Sequence, residues 1–120
     1  MNIAVVGLGY IGLPTAALLA SGGHCVYGYD TDPQVRRSLR ALNGFTVESS
    51  VRSVVEEAFA SHRLHIVDRI PAARAYIVCV PTPTHDGKPD LSYVEEAARS
   101  VARVAPPGSL LVLESTVPPG

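Results

Sequence analysis

Ile3-Ala4-Val5-Val6-Gly7-Leu8-Gly9-Tyr10-Ile11-Gly12 stands near the start of the chain, and Cys25-Val26-Tyr27-Gly28-Tyr29-Asp30 follows the apolar segment Leu13–Ser21. The first stretch reads as a short strand running into a glycine turn. The segment after it reads as a helix, and the last as a second strand ending in a carboxylate. A Gly-x-Gly-x-x-Gly pattern alone is weak. Here a strand precedes it, a helix opens on it, and an acid follows 18 positions after the third glycine, so the three features together are specific. Gly7 allows a sharp turn out of the strand, Gly9 leaves room for a pyrophosphate against the backbone, and Gly12 allows close helix–strand packing. The helix N-terminus then offers N–H groups and a favourable dipole to phosphate. Asp30 is placed to accept from the adenosine ribose hydroxyls. No Lys or Arg precedes Arg36, so a 2′-phosphate would meet a carboxylate first, and NAD is expected over NADP.

Outward from this unit the pattern continues as alternating strands and helices. A helix is expected over about 11–21, with Pro14 in its first turn and Gly22-Gly23 ending it. A strand follows over 24–29. Thr31-Asp32-Pro33 reads as a cap followed by proline at the first helical position. Val35, Leu39 and Leu42 make one face of that helix, and Asn43-Gly44 stops it. Arg36, Arg37 and Arg40 read as a solvated basic run, with one of them flanking the adenosine end of the cofactor. Ser49 or Ser50 caps a third helix with Val51, Val54, Val55 and Ala58 at helical spacing. A short strand is expected over 64–67 and a polar connection over 68–74.

Ala75–Val80 is a continuous apolar run, as in a parallel strand covered on both faces. It leads into Pro81-Thr82-Pro83-Thr84 and a polar loop, His85–Asp90. Ligands of open α/β sheets bind outside the carboxyl ends of strands, so Pro81–Thr84 should lie beside the cofactor. Ser92 and Glu95 have the spacing of a capping box. Val94, Ala97, Ala98, Val101 and Ala105 form the inner face of the helix it opens, which Pro106-Pro107-Gly108 ends. Leu110–Leu113 reads as another buried strand. The sum is an α/β, doubly wound, Rossmann-type fold with a mostly parallel sheet and helices on both faces.

The 120 residues suffice for one domain and are few for a complete dehydrogenase. With 47% hydrophobic and 18% charged residues and a net charge of −1, the composition is globular, and no basic stripe points to nucleic acid. Cys25 and Cys79 lie in apolar runs without metal or redox spacing, and read as buried residues of a reduced, cytoplasmic protein. The four histidines are scattered, so no metal is expected. There is no basic leader region and no apolar segment long enough to span a membrane.

Three segments together resemble one family: Gly7–Thr15, then Val80–Thr84 with Pro89–Val94, then Glu114-Ser115-Thr116-Val117-Pro118-Pro119-Gly120. The chain is similar to the N-terminal NAD-binding domain of the UDP-glucose/GDP-mannose dehydrogenases, the nucleotide-sugar 6-dehydrogenases. The wording of the second segment leans toward the UDP-N-acetylmannosamine and UDP-N-acetylglucosamine branch. The resemblance implies oxidation of a sugar C6 alcohol to a carboxylate with two NAD reduced, for polysaccharide precursor synthesis. It implies that the nucleophilic cysteine and the UDP-sugar site belong to central and C-terminal domains outside these residues, so that residues 1–120 are the cofactor domain of a larger, homodimeric enzyme, inactive alone.

Residue by residue, the resemblance implies that Gly9, Tyr10, Ile11 and Gly12 meet the pyrophosphate and Asp30 the ribose. Val80, Pro81, Thr82 and Thr84 would line the cofactor. Ser115, Thr116 and Val117 would sit near the nicotinamide, with Thr116 helping to position a catalytic water. Two departures stand out. Val35 occupies a position that is often basic in UDP-glucose members, with Arg36 as the candidate substitute. The stretch Leu42–Ser50 lacks the family's Pro-Gly. A UDP-glucose 6-dehydrogenase, a different dehydrogenase on the same fold and a non-catalytic dinucleotide-binding module are the competing readings. Apolar surface meant for missing domains would favour self-association of the isolated chain.

Overall fold

The computed structural model describes residues 1–9, 11–41 and 49–114. Its elements in chain order are β1 (Asn2–Val6), α1 (Gly12–Ser21), β2 (Cys25–Tyr29), α2 (Pro33–Arg40), α3 (Ser49–Ala60), β3 (Leu64–Ile66), β4 (Ala75–Val78), β5 (Thr84–His85), β6 (Lys88–Pro89), α4 (Ser92–Val104) and β7 (Leu110–Leu113). The main sheet has five strands in the order β3-β2-β1-β4-β7, and every described pairing in it is parallel. Strand order therefore reverses between β1 and β4, which opens a crevice at their carboxyl ends.

Alternation along β1 and β4 separates two cores. Ile3, Val5 and Ala75 pack with α1 and α3, through Leu13, Ala16, Ala17, Val55 and Ala58. Ala4, Val6, Tyr76 and Val78 point to the other face and pack with Ala97 and Val101 of α4. Helices thus cover both faces, as the buried runs required. The crossover from β3 to β4 has no helix. Fully buried Tyr76 pins it instead, its hydroxyl donating to the Pro71 carbonyl at 2.8 Å and accepting from the Ala73 N–H at 2.9 Å.

Most element ends follow local chemistry. Gly23 (φ +96°) takes the left-handed conformation after α1, as expected of a glycine there. Asp32 caps α2 by accepting from the Gln34 N–H at 2.9 Å, with Pro33 at the first helical position. Four expectations are corrected. Ser92 is not the cap of α4: Asp90, two residues earlier, accepts from both the Ser92 N–H (2.9 Å) and its hydroxyl (2.6 Å). The loop His85–Asp90 is a hairpin, β5 against β6, turning through Asp86 (φ +53°) and Gly87 (φ +76°). Two successive positive φ values are what tight hairpin turns require, and Asp-Gly is a preferred pair for them. Arg37 and Arg40 are exposed as expected of a solvated run, but Arg36 is largely covered, and Arg36 and Arg40 bind the ends of β2 and β3, as detailed below. Finally, β7 is not buried. Among the described residues it pairs with β4 alone, and its four residues are 36 to 60% exposed. Leu42, the Asn43-Gly44 stop, and the capping side chains of Ser49 and Ser50 lie outside the described residues.

Candidate dinucleotide site

The glycine turn is held by steric necessity. Gly7 has φ +99°, and a methyl group on it would collide with the Cys79 carbonyl. A methyl group on Gly12 would collide with the Gly7 carbonyl, so α1 starts directly against the turn. Gly9 differs: a Cβ there would have nothing within 4 Å. The fold does not need that position small, whereas a ligand lying on the backbone does. Among the described residues no side chain caps α1, and its own first turn has no acidic residue, so the positive end of its dipole favours an anion placed at the turn.

Asp30 closes the turn. Its Oδ2 accepts from the Leu8 N–H at 2.9 Å and its Oδ1 from the Asp32 N–H at 3.0 Å. The Gly7 N–H donates to the Tyr29 carbonyl at 2.8 Å, which continues the β1–β2 pairing into the loop. Each carboxylate oxygen keeps a further lone pair for a hydroxyl.

A cleft of about 690 Å³ opens at this point. The glycine turn (Gly7, Leu8, Gly9), the end of β2 (Tyr29, Asp30, Thr31), the residues after β3 (Asp68, Arg69, Ile70) and those after β4 (Cys79, Val80, Pro81) line it. Of the residues proposed from sequence, Gly7, Gly9, Asp30, Val80 and Pro81 thus come together on the cleft. Ile11 and Gly12 stand behind the turn at the start of α1. Thr82 is 7% exposed and faces inward, and Thr84 lies in the hairpin. Arg36 is not among the residues lining the cleft, and its guanidinium donates to the backbone carbonyl of Asp30, which is one of them. Tyr10, Ser115, Thr116 and Val117 lie outside the described residues.

The α4 wall of the cleft was not anticipated. Tyr93, Glu96, Ala97, Ser100 and Val104 line it at helical spacing. Ala97 belongs to the apolar face read from the spacing, and Tyr93, Glu96, Ser100 and Val104 form a second stripe beside it. Asp68 was taken for part of a polar connection.

Cys79 sits behind the turn. Burial pushes its thiol up to about 12, and the nearby Glu114 carboxylate adds to this by charge and by a 3.7 Å hydrogen bond. Glu114 also accepts from the Thr15 hydroxyl at 3.3 Å. A thiol so protonated is no nucleophile at neutral pH. Among the described residues no three His, Cys, Asp or Glu side chains group as a metal site, and no helix is long and apolar enough to cross a membrane.

Sheet order, glycine turn and β2 carboxylate define a dinucleotide-binding domain of the Rossmann class. A model of the NAD-binding domain of the UDP-glucose/GDP-mannose dehydrogenase family matches residues 1–120, and the chain belongs to that family. It is 42% identical to the UDP-N-acetyl-D-mannosamine dehydrogenase of Pyrococcus horikoshii over all of this chain and 29% of that protein. It is 44% identical to an NDP-N-acetyl-D-galactosaminuronic acid dehydrogenase of Ralstonia nicotianae, over 99% of this chain and 28% of that protein. The solved structure of the Pyrococcus horikoshii UDP-D-ManNAc dehydrogenase superposes with a TM-score of 0.91 at 41% identity, covering 100% of this chain and 29% of that one. The chain thus spans less than a third of the length of these relatives.

Proposed function

We propose that this chain is the cofactor-binding part of an NAD-dependent UDP-sugar 6-dehydrogenase whose sugar nucleotide is UDP-N-acetylmannosamine. The glycine turn closed by Asp30 over the cleft is the observation that carries the reading, and Gly9, small for no reason of packing, fits a bound pyrophosphate. The names of the matched relatives support the sugar. NAD, when bound, accepts hydride, and two are reduced as the C6 alcohol becomes a carboxylate.

This chain's residues would hold the cofactor. The backbone of Gly9, Tyr10, Ile11 and Gly12 takes the pyrophosphate, and Asp30 takes the ribose hydroxyls. Val80, Pro81, Thr82 and Thr84 flank it, while Ser115, Thr116 and Val117 approach the nicotinamide, Thr116 orienting a water. The nucleophile and the sugar-binding residues belong to further domains of a cytoplasmic, homodimeric enzyme serving polysaccharide synthesis. The 44% identity to an NDP-N-acetyl-D-galactosaminuronic acid dehydrogenase favours an NDP-linked N-acetylgalactosamine sugar as the second reading.

Calorimetric titration of this chain with NAD should show saturable binding. Asp30→Ala should weaken it roughly tenfold or more, the loss of charge-assisted hydrogen bonds. No binding by the unaltered chain, or equal binding by the variant, would overturn the site. The full-length enzyme, offered a panel of UDP-sugars, should form two NADH per UDP-N-acetylmannosamine; turnover of UDP-glucose instead would overturn the substrate.

A further inference from the structure

β2 and β3 end side by side. The Val67 N–H donates to the Gly28 carbonyl at 2.9 Å, so the parallel pairing runs past β3 and brings Asp68 level with Asp30. Both aspartates line the cleft. Arg36 lies between them. Its Nη1 donates to the Asp30 backbone carbonyl at 2.7 Å and its Nε to Asp68 Oδ1 at 3.0 Å, while its guanidinium sits 5.7 Å from the centre of the Tyr29 ring. Arg40 Nη2 reaches the same Asp68 oxygen at 2.9 Å and the Ile66 carbonyl at 3.1 Å. One carboxylate oxygen therefore holds two guanidinium groups. The Arg36 side chain is 15% exposed and that of Asp68 63%.

The helix after Asp30 thus carries the residue type that sites for a 2′-phosphorylated adenosine use, because a guanidinium meets phosphate oxygens in a fork. Arginine count in α2 predicts tolerance of that phosphate, and the pairing predicts the opposite. We propose that Asp68 is a specificity-determining residue for NAD over NADP: it engages Arg36 and Arg40, so that a 2′-phosphate at the ribose corner meets two carboxylates in place of two guanidinium groups. The proposal rests on the cofactor reading above and extends it from Asp30 to a residue outside the glycine fingerprint.

The test uses ligands that report the adenosine corner alone. The full chain, unaltered and as Asp68→Ala, is titrated with 5′-AMP and with 2′,5′-ADP, and the ratio of the two affinities is the readout. Asp68→Ala should raise the ratio in favour of 2′,5′-ADP roughly tenfold, the scale of one charge-assisted hydrogen bond. The gain should vanish when Arg36→Gln and Arg40→Gln are added, and should shrink with salt. Asp68→Asn, which removes the charge and keeps the shape, should give a smaller gain in the same direction. It also serves if the alanine variant fails to fold. An unchanged ratio, or a gain that survives loss of both arginines, overturns the proposal while 5′-AMP binding leaves the cofactor reading standing. Failure of the unaltered chain to bind 5′-AMP and NAD overturns both.

Discussion

β3 and β7 are the two edge strands of the sheet, and both begin with leucine: Leu64 is 3% exposed and Leu110 is 60% exposed. The β3 edge lies under α2 and α3, with Leu39 and Val55 buried in the same cluster as Leu64. The β7 edge has β4 on one side, and none of its residues enters either core cluster. Hydrophobicity in a strand states what the strand gains by being covered, and burial follows only where another element reaches it. A long apolar edge left open is also a template for pairing with another chain.

The comparison breaks first on stability. Leu64→Ala should cost roughly 2–4 kcal/mol, as for a fully buried leucine that leaves a cavity, while Leu110→Ala should cost about 0.5 kcal/mol or less. Urea unfolding of both variants decides it, and equal losses would mean that the two edges are equally covered.

A second test concerns the point where the open edge is tied in, through Glu114 to Thr15 and Cys79. The Cys79 thiol is raised from 9.0 to about 12, so its protonated form is favoured in the fold. The sign follows: its contribution is full below pH 9 and is lost as pH rises toward 12. Glu114→Gln removes the charge and leaves the burial, so alkylation of Cys79, mapped by mass spectrometry, should begin at lower pH than in the unaltered chain. Onset at the same or higher pH would show that Glu114 does not act on the thiol.

The smallest expected change in stability comes from Leu111→Lys with Leu113→Lys, within about 0.5 kcal/mol for exposed positions. Its effect should appear in sedimentation instead. The unaltered chain should self-associate with rising concentration, and the double variant should not. A strictly monomeric unaltered chain would mean that the edge is not adhesive.

Much of this fold was legible because it depends on neighbours in sequence. The Gly7 turn, the left-handed Gly23, the Asp32 cap with Pro33, and the inner faces of α3 and α4 follow from backbone sterics and helical spacing. The hairpin was signalled by Asp86-Gly87, but its strands are two residues each and too short to show alternation. The α4 cap was displaced because Asp90 and Ser92 are both capping residues, and only the path of the chain out of the hairpin decides which one reaches the free N–H.

The site divides in the same way. Sequence alone determined the strand, turn, helix and carboxylate of residues 3–30, since three glycines and one aspartate at that spacing leave the backbone few alternatives. Tertiary structure alone decided that Arg36 and Arg40 share Asp68, about thirty residues away, that Tyr76 closes a crossover lacking a helix, and that Leu110–Leu113 stays open. Charge and hydropathy are properties of a residue, whereas pairing and burial belong to whatever the fold brings beside it.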